Sequence, residues 1–460
     1  MSQRFATHEV QNQPPPLTPY DAFATDPALR EVLGHEGGGW AEPEVAAFGR
    51  VVGGEMMELG FLANENPPHF RPFDRFGHRI DEVVFHPSYH RLMELAMQHG
   101  VANFAWNNPS RPNAQVARGA LLYLSAQAEQ GHNCPLTMTY AAVPALRHTP
   151  KLAEAWLPRI TSAHYDPRSL PAAHKRGCTM GMGMTEKQGG SDVRANTTRA
   201  TPCADGSYEL IGHKWFFSAP MSDAFLVLAY VEDQLSCFLL PRFLDDGTRN
   251  AVRIQRLKDK LGDRSNASSE VEFQGARAYL LGALGRGVAT ILEMVALTRQ
   301  DCLIASAGLM RQALVQAIHH ARHRRAFGKP LIAQPLMQNV LADLALESEA
   351  ALRLGLRVAR AIDRAPHDPR EASFARVATA IGKYWVCRRA APFVNEAQEC
   401  LGGAGYVEES ILPRLYRQAP LNSIWEGSGN IQCLDVLRAL QGDAREALLH
   451  ELSSARGAHP

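Results

Sequence analysis

SIWEGSGNIQ, Ser423 to Gln432, sets one carboxylate, Glu426, between a bulky aromatic side chain and a Gly-Ser-Gly turn. Burial beside Trp425 would raise the pKa of the Glu426 carboxyl, as a general base for a weakly acidic proton requires. Gly427 and Gly429 carry no Cβ, so the backbone here can approach a flat ligand closely. The alternative is a carboxylate that stabilises the start of a helix through the helix dipole. The stretch therefore predicts either a catalytic base or a helix cap at Glu426.

Composition describes an ordinary globular chain of 460 residues, 45% hydrophobic and 21% charged, long enough for two or three domains. Forty-eight basic and 47 acidic side chains give a net charge of +1, so no global field draws the chain to nucleic acid or to an anionic membrane. The eight cysteines show no CxxC spacing, which argues against zinc and disulfides and favours a reducing compartment. No apolar run is long enough for a signal segment or a membrane span. We expect a cytoplasmic protein.

The apolar pattern divides the chain into α, β and α blocks, so we expect an α+β fold. Residues 1–40 form a polar arm with three consecutive prolines, either a disordered leader or, as we favour, an arm that packs on another surface, for example that of a second subunit. Residues 41–176 show helical spacing and predict an all-α domain. Short β-branched runs between glycine turns predict an antiparallel β-domain over 177–280. Helical spacing returns over 281–445 and predicts a four-helix bundle, and 446–460 form a tail.

A glycine-rich motif, GMGMTEKQGGSDV, occupies Gly181–Val193 at the start of the β block. Its Gly189, Gly190 and Ser191 offer backbone N–H groups and a hydroxyl, a suitable cradle for a pyrophosphate. Thr185 can bond to the polar edge of a ring. The alternative is a glycine-rich hairpin without a ligand.

A second motif, HKWFFSAP, occupies His213–Pro220 at the end of an expected strand. Phe216 and Phe217 can wall a planar ring, and the Ser218 hydroxyl can donate to it. A core strand with buried phenylalanines is the alternative, which an isolated motif of this kind would favour.

Five strings in a fixed order resemble the acyl-CoA dehydrogenase family: TEKQGGSDV, KWFFS, RRAFGKP, LGGAGY and IWEGSGNIQ. The resemblance extends from about residue 90 to about residue 440. It is strongest to a flavoprotein branch of that family that takes part in the bacterial response to DNA alkylation. It implies N-terminal helices, a middle β-domain, a C-terminal four-helix bundle, and a tetramer built from two dimers with FAD at the subunit interface.

The resemblance also implies a set of FAD contacts. Those at the flavin ring and the pyrophosphate are Met182, Met184, Thr185, Gly190, Ser191, Phe216, Phe217 and Ser218. Those reaching the cofactor of a neighbouring subunit, or lying near it, are Arg324, Phe327, Gln338, Gly402 and Gly403. The catalytic loop adds Ser423, Trp425, Gly427, Ser428 and Asn430. Arg324 has a simpler alternative as one of several solvated basic residues at a helix end. The sequence departs from the family at Pro335, where many relatives carry a glutamine.

Glu426 falls at the position of the family's catalytic base, and Ser191 and Arg299 join it as implied substrate contacts. Thr298 falls where some relatives carry the base instead; a threonine cannot act as one, so replacing it should cost little. In the family mechanism the carboxylate removes the α-proton of an acyl-CoA while a hydride leaves the β-carbon for the flavin. The backbone N–H of Glu426 helps to hold the thioester oxygen. Bulky Trp425 and two methionines favour a short or branched acyl chain, and the electron acceptor is a further, unidentified partner.

The same resemblance supports a second function, a flavoprotein that binds or protects DNA. In the branch concerned, DNA binding is attributed to a basic domain beyond the catalytic helix. Residues 438–460 carry Arg438, Arg445 and Arg456 against Asp443, Glu446 and Glu451. This balance of charge makes DNA the less favoured partner, and we expect the dehydrogenase.

Overall fold

The computed structural model describes residues 5–454 and shows the α, β and α blocks in the predicted order. The N-terminal helices are α1 (Pro27–His35), α2 (Glu42–Val51), α3 (Met57–Glu65), α4 (Pro87–Gln98), α5 (Phe104–Asn107), α6 (Ala114–Ala128), α7 (Asn133–Leu146) and α8 (Pro150–Ile160). Every residue of α6 is buried, as expected for a helix that is apolar on most sides. This helix packs against the N-terminal helices and the C-terminal bundle, so it ties the two α blocks together.

A β-hairpin interrupts the N-terminal block, so the prediction that residues 41–176 are all helical is wrong. Its strands are β1 (His69–Phe73) and β2 (Arg79–Val84), which pair antiparallel. Pro67 and Pro68 prevent the preceding helix from continuing, because proline lacks the backbone donor. Val83 packs into the core of the β-domain, which explains why this segment extends instead of coiling.

The middle block consists of seven strands. They are β3 (Met180–Gly183), β4 (Arg199–Pro202), β5 (Tyr208–Ser218), β6 (Ala224–Val231), β7 (Gln234–Pro241), β8 (Val252–Leu257) and β9 (Ser268–Leu281). The pairing runs β6, β4, β5, β9, β7 and back to β6, so the sheet closes on itself. It is antiparallel, as predicted, apart from β6, which runs parallel to β3 and meets β4 at one parallel pair.

The C-terminal block begins with a helix of 37 residues, α9 (Gly287–His323). A short hairpin, β10 (Arg325–Ala326) and β11 (Lys329–Pro330), turns the chain back into α10 (Pro335–Arg364) and then α11 (Pro369–Leu401). Four shorter helices follow, α12 (Leu412–Gln418), α13 (Leu421–Ile424), α14 (Gly429–Ala439) and α15 (Ala444–Ser454). Both α14 and α15 pack on α11. The predicted domain boundary at 445 therefore falls inside a helix, and residues 455–460 of the predicted tail lie outside the described residues.

The N-terminal arm packs on its own chain, along the second half of α9. Tyr20 donates to Gln312 at 2.7 Å, and the Pro15 carbonyl lies 2.7 Å from a ring nitrogen of His319. The Asn12 amide donates to the Arg325 carbonyl at 2.9 Å. The described part of the arm is therefore packed, and these contacts are with its own chain; residues 1–4 lie outside the described residues. Within residues 5–454, each helix is too short or too polar to span a membrane.

Candidate active site

Glu426 lies in the loop between α13 and α14, with a left-handed backbone conformation, φ +57°. Its carboxylate accepts a hydrogen bond from the Thr298 hydroxyl of α9, with 2.8 Å between the oxygens. It does not cap α14, whose N-cap residue Ser428 makes no side-chain cap bond either. Of the two interpretations of Glu426, the geometry favours the base, because the carboxylate turns across to α9 and away from the helix start.

Burial raises the pKa of the Glu426 carboxyl above its ordinary value. The Thr298 hydrogen bond and the charges of Lys383 and Arg299 lower it, but they do not cancel the burial. A raised pKa makes a carboxylate a stronger base, which is what abstraction of a weakly acidic proton needs.

A buried lysine, which the sequence pattern did not reveal, holds the Glu426 loop against α11. Lys383 of α11 is fully buried, and its ammonium donates to the Trp425 carbonyl at 2.6 Å and the Gly427 carbonyl at 2.5 Å. These two bonds fix the peptide units on either side of Glu426. Lysines in amphipathic helices are common, so nothing in the sequence singles this one out.

Arg299 lies beside Glu426 and holds its loop. Its Nε donates to the Glu426 carbonyl at 2.8 Å, and its Nη1 donates to Asp435 at 2.9 Å. Gln432 donates to the same Glu426 carbonyl at 3.1 Å. The guanidinium thus anchors the loop to α9 and α14, and a direct contact with substrate stays a prediction. The backbone N–H of Glu426 makes no hydrogen bond within the described residues, so it is free to donate to a ligand.

An apolar core adjoins the Glu426 loop at the β-domain. Trp425, Met182 and Met184 pack against one core that α7, β3, β6, β7 and α9 build together. The structure therefore brings these three predicted residues together at the junction of the β-domain and the bundle. Cys134 of α7 lies in the same core, close enough for Glu426 to contribute to the raised pKa of its thiol, which burial mainly causes.

The two motifs of the β-domain meet side by side. The backbone N–H of Trp215 donates to the Thr185 carbonyl at 2.9 Å. The pairing of β5 with β9 slips between Lys214 and Phe217, so Trp215 and Phe216 form a β-bulge. A bulge redirects side chains, and here it leaves the ring of Phe216 52% exposed beside the glycine-rich motif.

Phe217 is fully buried in the β-domain, where its ring packs on Phe225 at 4.2 Å between centroids. Its ring also fills the space over Gly183, where an added Cβ would come within 2.6 Å of it. The prediction that the Phe217 ring walls a planar ligand is therefore wrong. The bulge that sends Phe216 outward is what turns Phe217 inward, and this could not be read from the sequence.

The glycine-rich loop presents an open set of donors. Gly190 packs on Thr185, and a Cβ at Gly190 would lie 2.3 Å from the Thr185 hydroxyl oxygen. The backbone N–H groups of Gly190 and Ser191, and the Ser191 hydroxyl, make no hydrogen bond within the described residues. Free donors on a loop that only glycine can form suit a phosphate group.

A buried carboxylate, Glu186, holds this loop in shape. Its oxygens accept from Lys214 at 2.8 Å, from the Thr198 hydroxyl at 2.6 Å and from the Thr197 N–H at 2.7 Å. Burial alone would raise the Glu186 pKa, but Lys214 and these donors bring it to about 2. Glu186 stands inside the TEKQGGSDV motif, and the sequence analysis gave it no role.

Three cations surround the Trp215 indole next to the loop. The Lys258 ammonium lies 3.6 Å from the ring centroid, and Lys187 and Arg256 lie at 5.6 and 5.9 Å. Lys258 also lies 4.6 Å from the Phe216 ring. Free N–H donors, positive charge and an exposed aromatic ring together fit a flat ring attached to a pyrophosphate, which is the chemistry of FAD.

Five of the predicted cofactor residues lie far from Glu426 in the same chain. They are Arg324, Phe327, Gln338, Gly402 and Gly403. Arg324 follows α9, roughly 39 Å along the helix axis from Thr298. The tight hairpin reverses the chain into α10, and α11 reverses again, so α9 and α11 end on the same side of the bundle. The structure thus separates these residues from Glu426 within one chain.

At that far end, Phe327 is 97% exposed at the tip of the β10–β11 hairpin, with φ +52°. The Arg324 guanidinium donates to the Asn12 carbonyl of the arm at 2.6 Å, so it is not simply a solvated charge. Gly402 has φ +59° and ends α11. Around the catalytic loop, Ser423 bonds the Pro420 carbonyl, whereas Ser428 and Asn430 are exposed.

Comparison with protein families accounts for nearly the whole chain. Residues 181–276 match the acyl-CoA dehydrogenase middle domain, and residues 285–441 match the acyl-CoA dehydrogenase C-terminal domain. The chain therefore belongs to the acyl-CoA dehydrogenase family, whose members are FAD-dependent oxidoreductases. Residues 12–167 match the N-terminal domain of the adaptive response protein AidB.

Individual relatives agree with these assignments. The putative acyl-CoA dehydrogenase AidB of Escherichia coli K12 is 53% identical over 440 residues, 95% of this chain and 81% of that protein. The crystal structure of Caenorhabditis elegans ACDH-11 in complex with C11-CoA is 29% identical, with a TM-score of 0.90 over 99% of this chain and 79% of that one. Butyryl-CoA dehydrogenase of Megasphaera elsdenii, at 19% identity and a TM-score of 0.66, covers 91% of this chain and 99% of its own, and shares the fold.

Proposed function

We propose that the protein oxidises an acyl-CoA thioester between its α and β carbons, with Glu426 as the base. The observation that carries this proposal is the half-buried Glu426 side chain, turned to α9 in a strained loop, with a carboxyl pKa that desolvation raises. Bound FAD supplies the acceptor for the hydride that leaves the β-carbon. All remaining steps belong to side chains and backbone groups of this chain.

Glu426 takes the α-proton, and its free backbone N–H donates to the thioester oxygen, which acidifies that proton. Thr298 holds the carboxylate in the required rotamer through its 2.8 Å hydrogen bond. Lys383 and Arg299 fix the loop backbone, so the backbone N–H and the carboxylate of Glu426 keep their positions relative to each other. Trp425, Met182 and Met184 pack against the adjoining apolar core, and with substrate bound they would help to keep water from the carboxylate, which would keep its basicity high.

The cofactor residues follow from the geometry of the β-domain. Gly190 and Ser191 would hold the FAD pyrophosphate with their free donors, and Phe216 would cover one face of the ring. Ser218, at the end of β5, would donate to the ring edge. The remote Arg324 and Phe327 would complete the FAD site of a neighbouring subunit, because they are too distant to reach the site of their own chain. This supports a homo-oligomer, and we favour a dimer of dimers.

A short or branched acyl chain is the proposed substrate, because Trp425, Met182 and Met184 pack against one apolar core and would crowd a long chain near the Glu426 loop. The ACDH-11 structure was determined with C11-CoA, so a longer chain is the main competitor. The electrons then pass to a separate acceptor protein. The eight free cysteines support a reducing cytoplasm as the location.

Anaerobic mixing of the purified flavoprotein with a series of acyl-CoAs tests this function. We expect the flavin absorbance to bleach with butyryl-CoA or isovaleryl-CoA and to bleach less with lauroyl-CoA. Equal bleaching across the series would contradict the proposed chain length. No bleaching with any thioester would contradict the reaction itself.

Kinship with AidB favours a second function in the response to DNA damage, in which the flavin site is secondary. Its test is binding to duplex DNA over a range of salt. Electrostatic binding weakens steeply as salt rises, and DNA-binding proteins show it clearly at low salt. We expect no binding at low salt; tight, salt-sensitive binding would favour the DNA function.

A further inference from the structure

Lys260 lies in the loop between β8 and β9, and its ammonium has an acceptor for each of its three hydrogens. It donates to the Asn266 carbonyl at 2.7 Å, to the Asp263 carboxylate at 3.1 Å and to the Ser268 hydroxyl at 3.2 Å. Ser268 is in turn 3.1 Å from the hydroxyl of Ser218. Two hydrogen bonds therefore link the Lys260 ammonium to the Ser218 hydroxyl at the end of β5.

The lysine fixes one donor and acceptor role along these contacts, and the proposed ligand fixes the other. An ammonium only donates, so Ser268 accepts from Lys260. The hydrogen of Ser268 has one other partner in the described residues, the Ser218 hydroxyl, and either of these two oxygens can be the donor. When Ser268 donates, the hydrogen of Ser218 has no acceptor in residues 5–454 and can point toward a ligand. A ring edge that accepts from Ser218 selects this arrangement.

The loop that carries Lys260 is held on two sides. Gly262 packs so closely on α12 that a Cβ there would lie 2.5 Å from the Arg417 carbonyl oxygen. Ser265 donates to the buried Glu129 at 2.8 Å. Gln418 of α12 also accepts from the Asp263 backbone N–H at 2.6 Å. The cation is therefore held in place and does not sample solvent freely.

We infer that Lys260 is a positioning residue that acts on the bound flavin through Ser268 and Ser218. It orients the Ser218 hydroxyl as a donor toward the ring, and its charge stabilises the ring once it has received the two electrons of the hydride. The inference rests on the proposed function, which puts Ser218 at the flavin. It adds a link that neither the motifs nor the loop around Glu426 contain.

The test is the reduction equilibrium of the bound flavin against a reference dye, measured without any acyl-CoA. Lys260→Met should shift this equilibrium toward oxidised flavin by at least ~10-fold, because a full charge near the ring is lost. Ser268→Ala should shift it in the same direction by a smaller factor, and Lys260→Arg should restore it. Ser269→Ala is the matched control, since Ser269 bonds only the Phe217 carbonyl, at 2.8 Å on the neighbouring position of β9.

An unchanged equilibrium in Ser268→Ala, or an equal shift in Ser269→Ala, would overturn the inference, even if Lys260→Met does not fold. Failure of the proposed dehydrogenase reaction is seen separately, because it leaves this equilibrium measurable as long as the flavin binds. A protein that takes up no flavin would defeat the proposed function and this inference together.

Discussion

At the scale of single residues, the backbone of Glu426 departs from what its side chain would prefer. A non-glycine residue in the left-handed region costs of order 1 kcal/mol or more, and such strain persists only where the surroundings enforce it. Here Lys383 donates to the carbonyl of the preceding residue, and Arg299 and Gln432 donate to the carbonyl of Glu426 itself. The strained loop is the means by which the carboxylate faces α9 and the neighbouring N–H stays unpaired.

Replacing Glu426 with Gln tests its role as the base. The amide keeps the size of the side chain but cannot take a proton, so flavin reduction by a competent acyl-CoA should slow by at least ~100-fold while FAD stays bound. Stopped-flow absorbance of the flavin measures the rate. Glu408→Gln, at an exposed carboxylate paired with Arg417, is the control and should reduce at the wild-type rate. A Glu426→Gln enzyme as fast as the wild type would place the base elsewhere.

Replacing Thr298 with Ala should shift the pH dependence of flavin reduction. The sequence predicted little effect, but the structure shows the Thr298 hydroxyl bonded to the base. That bond favours the charged carboxylate, so its loss should raise the Glu426 pKa further. Because only the deprotonated form is a base, the rate should rise with pH through the Glu426 pKa, and this rise should move to higher pH in the variant.

The rate of flavin reduction across a pH series measures the shift, and Thr290→Ala is its control. Thr290 is a buried threonine of the same helix whose hydroxyl bonds only the Arg286 carbonyl. A profile in Thr298→Ala that moves to lower pH, or that does not move, would contradict the assignment of this hydrogen bond.

At the scale of elements, the glycine-rich loop depends on Glu186 and its partner Lys214, both buried. Glu186→Gln would leave the Lys214 charge without its counterion, which typically costs about 3 to 5 kcal/mol. The folded-state pKa of Glu186, about 2, lies below its ordinary value of 4.5. The stabilisation is therefore present at neutral pH and is lost as pH falls from about 4.5 toward 2.

Urea denaturation at pH 7, followed by tryptophan fluorescence, measures the expected loss. Glu209→Gln removes an exposed carboxylate from the same strand, β5, and should leave the midpoint unchanged. Equal midpoints for Glu186→Gln and the wild type would show that the loop does not depend on this pair. The FAD affinity of Glu186→Gln should fall as well, because the donors of Gly190 and Ser191 lose their support.

The elements that the sequence predicted well are those whose periodicity is strong. The long helices α9, α10 and α11 all lie within residues 281–445, where helical spacing predicted a bundle, and a proline begins both α10 and α11. The hairpin at residues 69–84 was missed, since its strands are short and depend on packing against the β-domain. The ring of Phe217 turns inward because of a β-bulge, which no local sequence pattern predicts. Lys383 anchors a loop that begins about 40 residues later in the chain, so no pattern near Lys383 indicates this role.

At the scale of the whole molecule, the exposed hairpin tip predicts assembly. Phe327 exposes 97% of its surface at that tip, and the proposed function places its ring at the FAD of a neighbouring subunit. Phe327→Ser should lower FAD affinity by ~10-fold or more, because burying such a ring contributes about 1.5 to 3 kcal/mol. Titration of the apoprotein with FAD measures this, and sedimentation reports the assembly state.

Phe76→Ser provides the comparison, since Phe76 is also an exposed phenylalanine in a hairpin turn, at 69% exposure. It should leave both FAD affinity and assembly unchanged. A Phe327→Ser protein that keeps full FAD affinity would contradict a site shared between subunits.

The packing of the N-terminal arm along α9 also affects the order in which parts of the chain fold during synthesis. Asn12 finds its partner, Arg325, 313 positions later in the chain. At about 5 to 20 residues per second, the ribosome needs roughly 15 to 60 s to make that partner. The arm is therefore synthesised well before the residues that it binds, and it cannot complete its packing until Arg325 has been made.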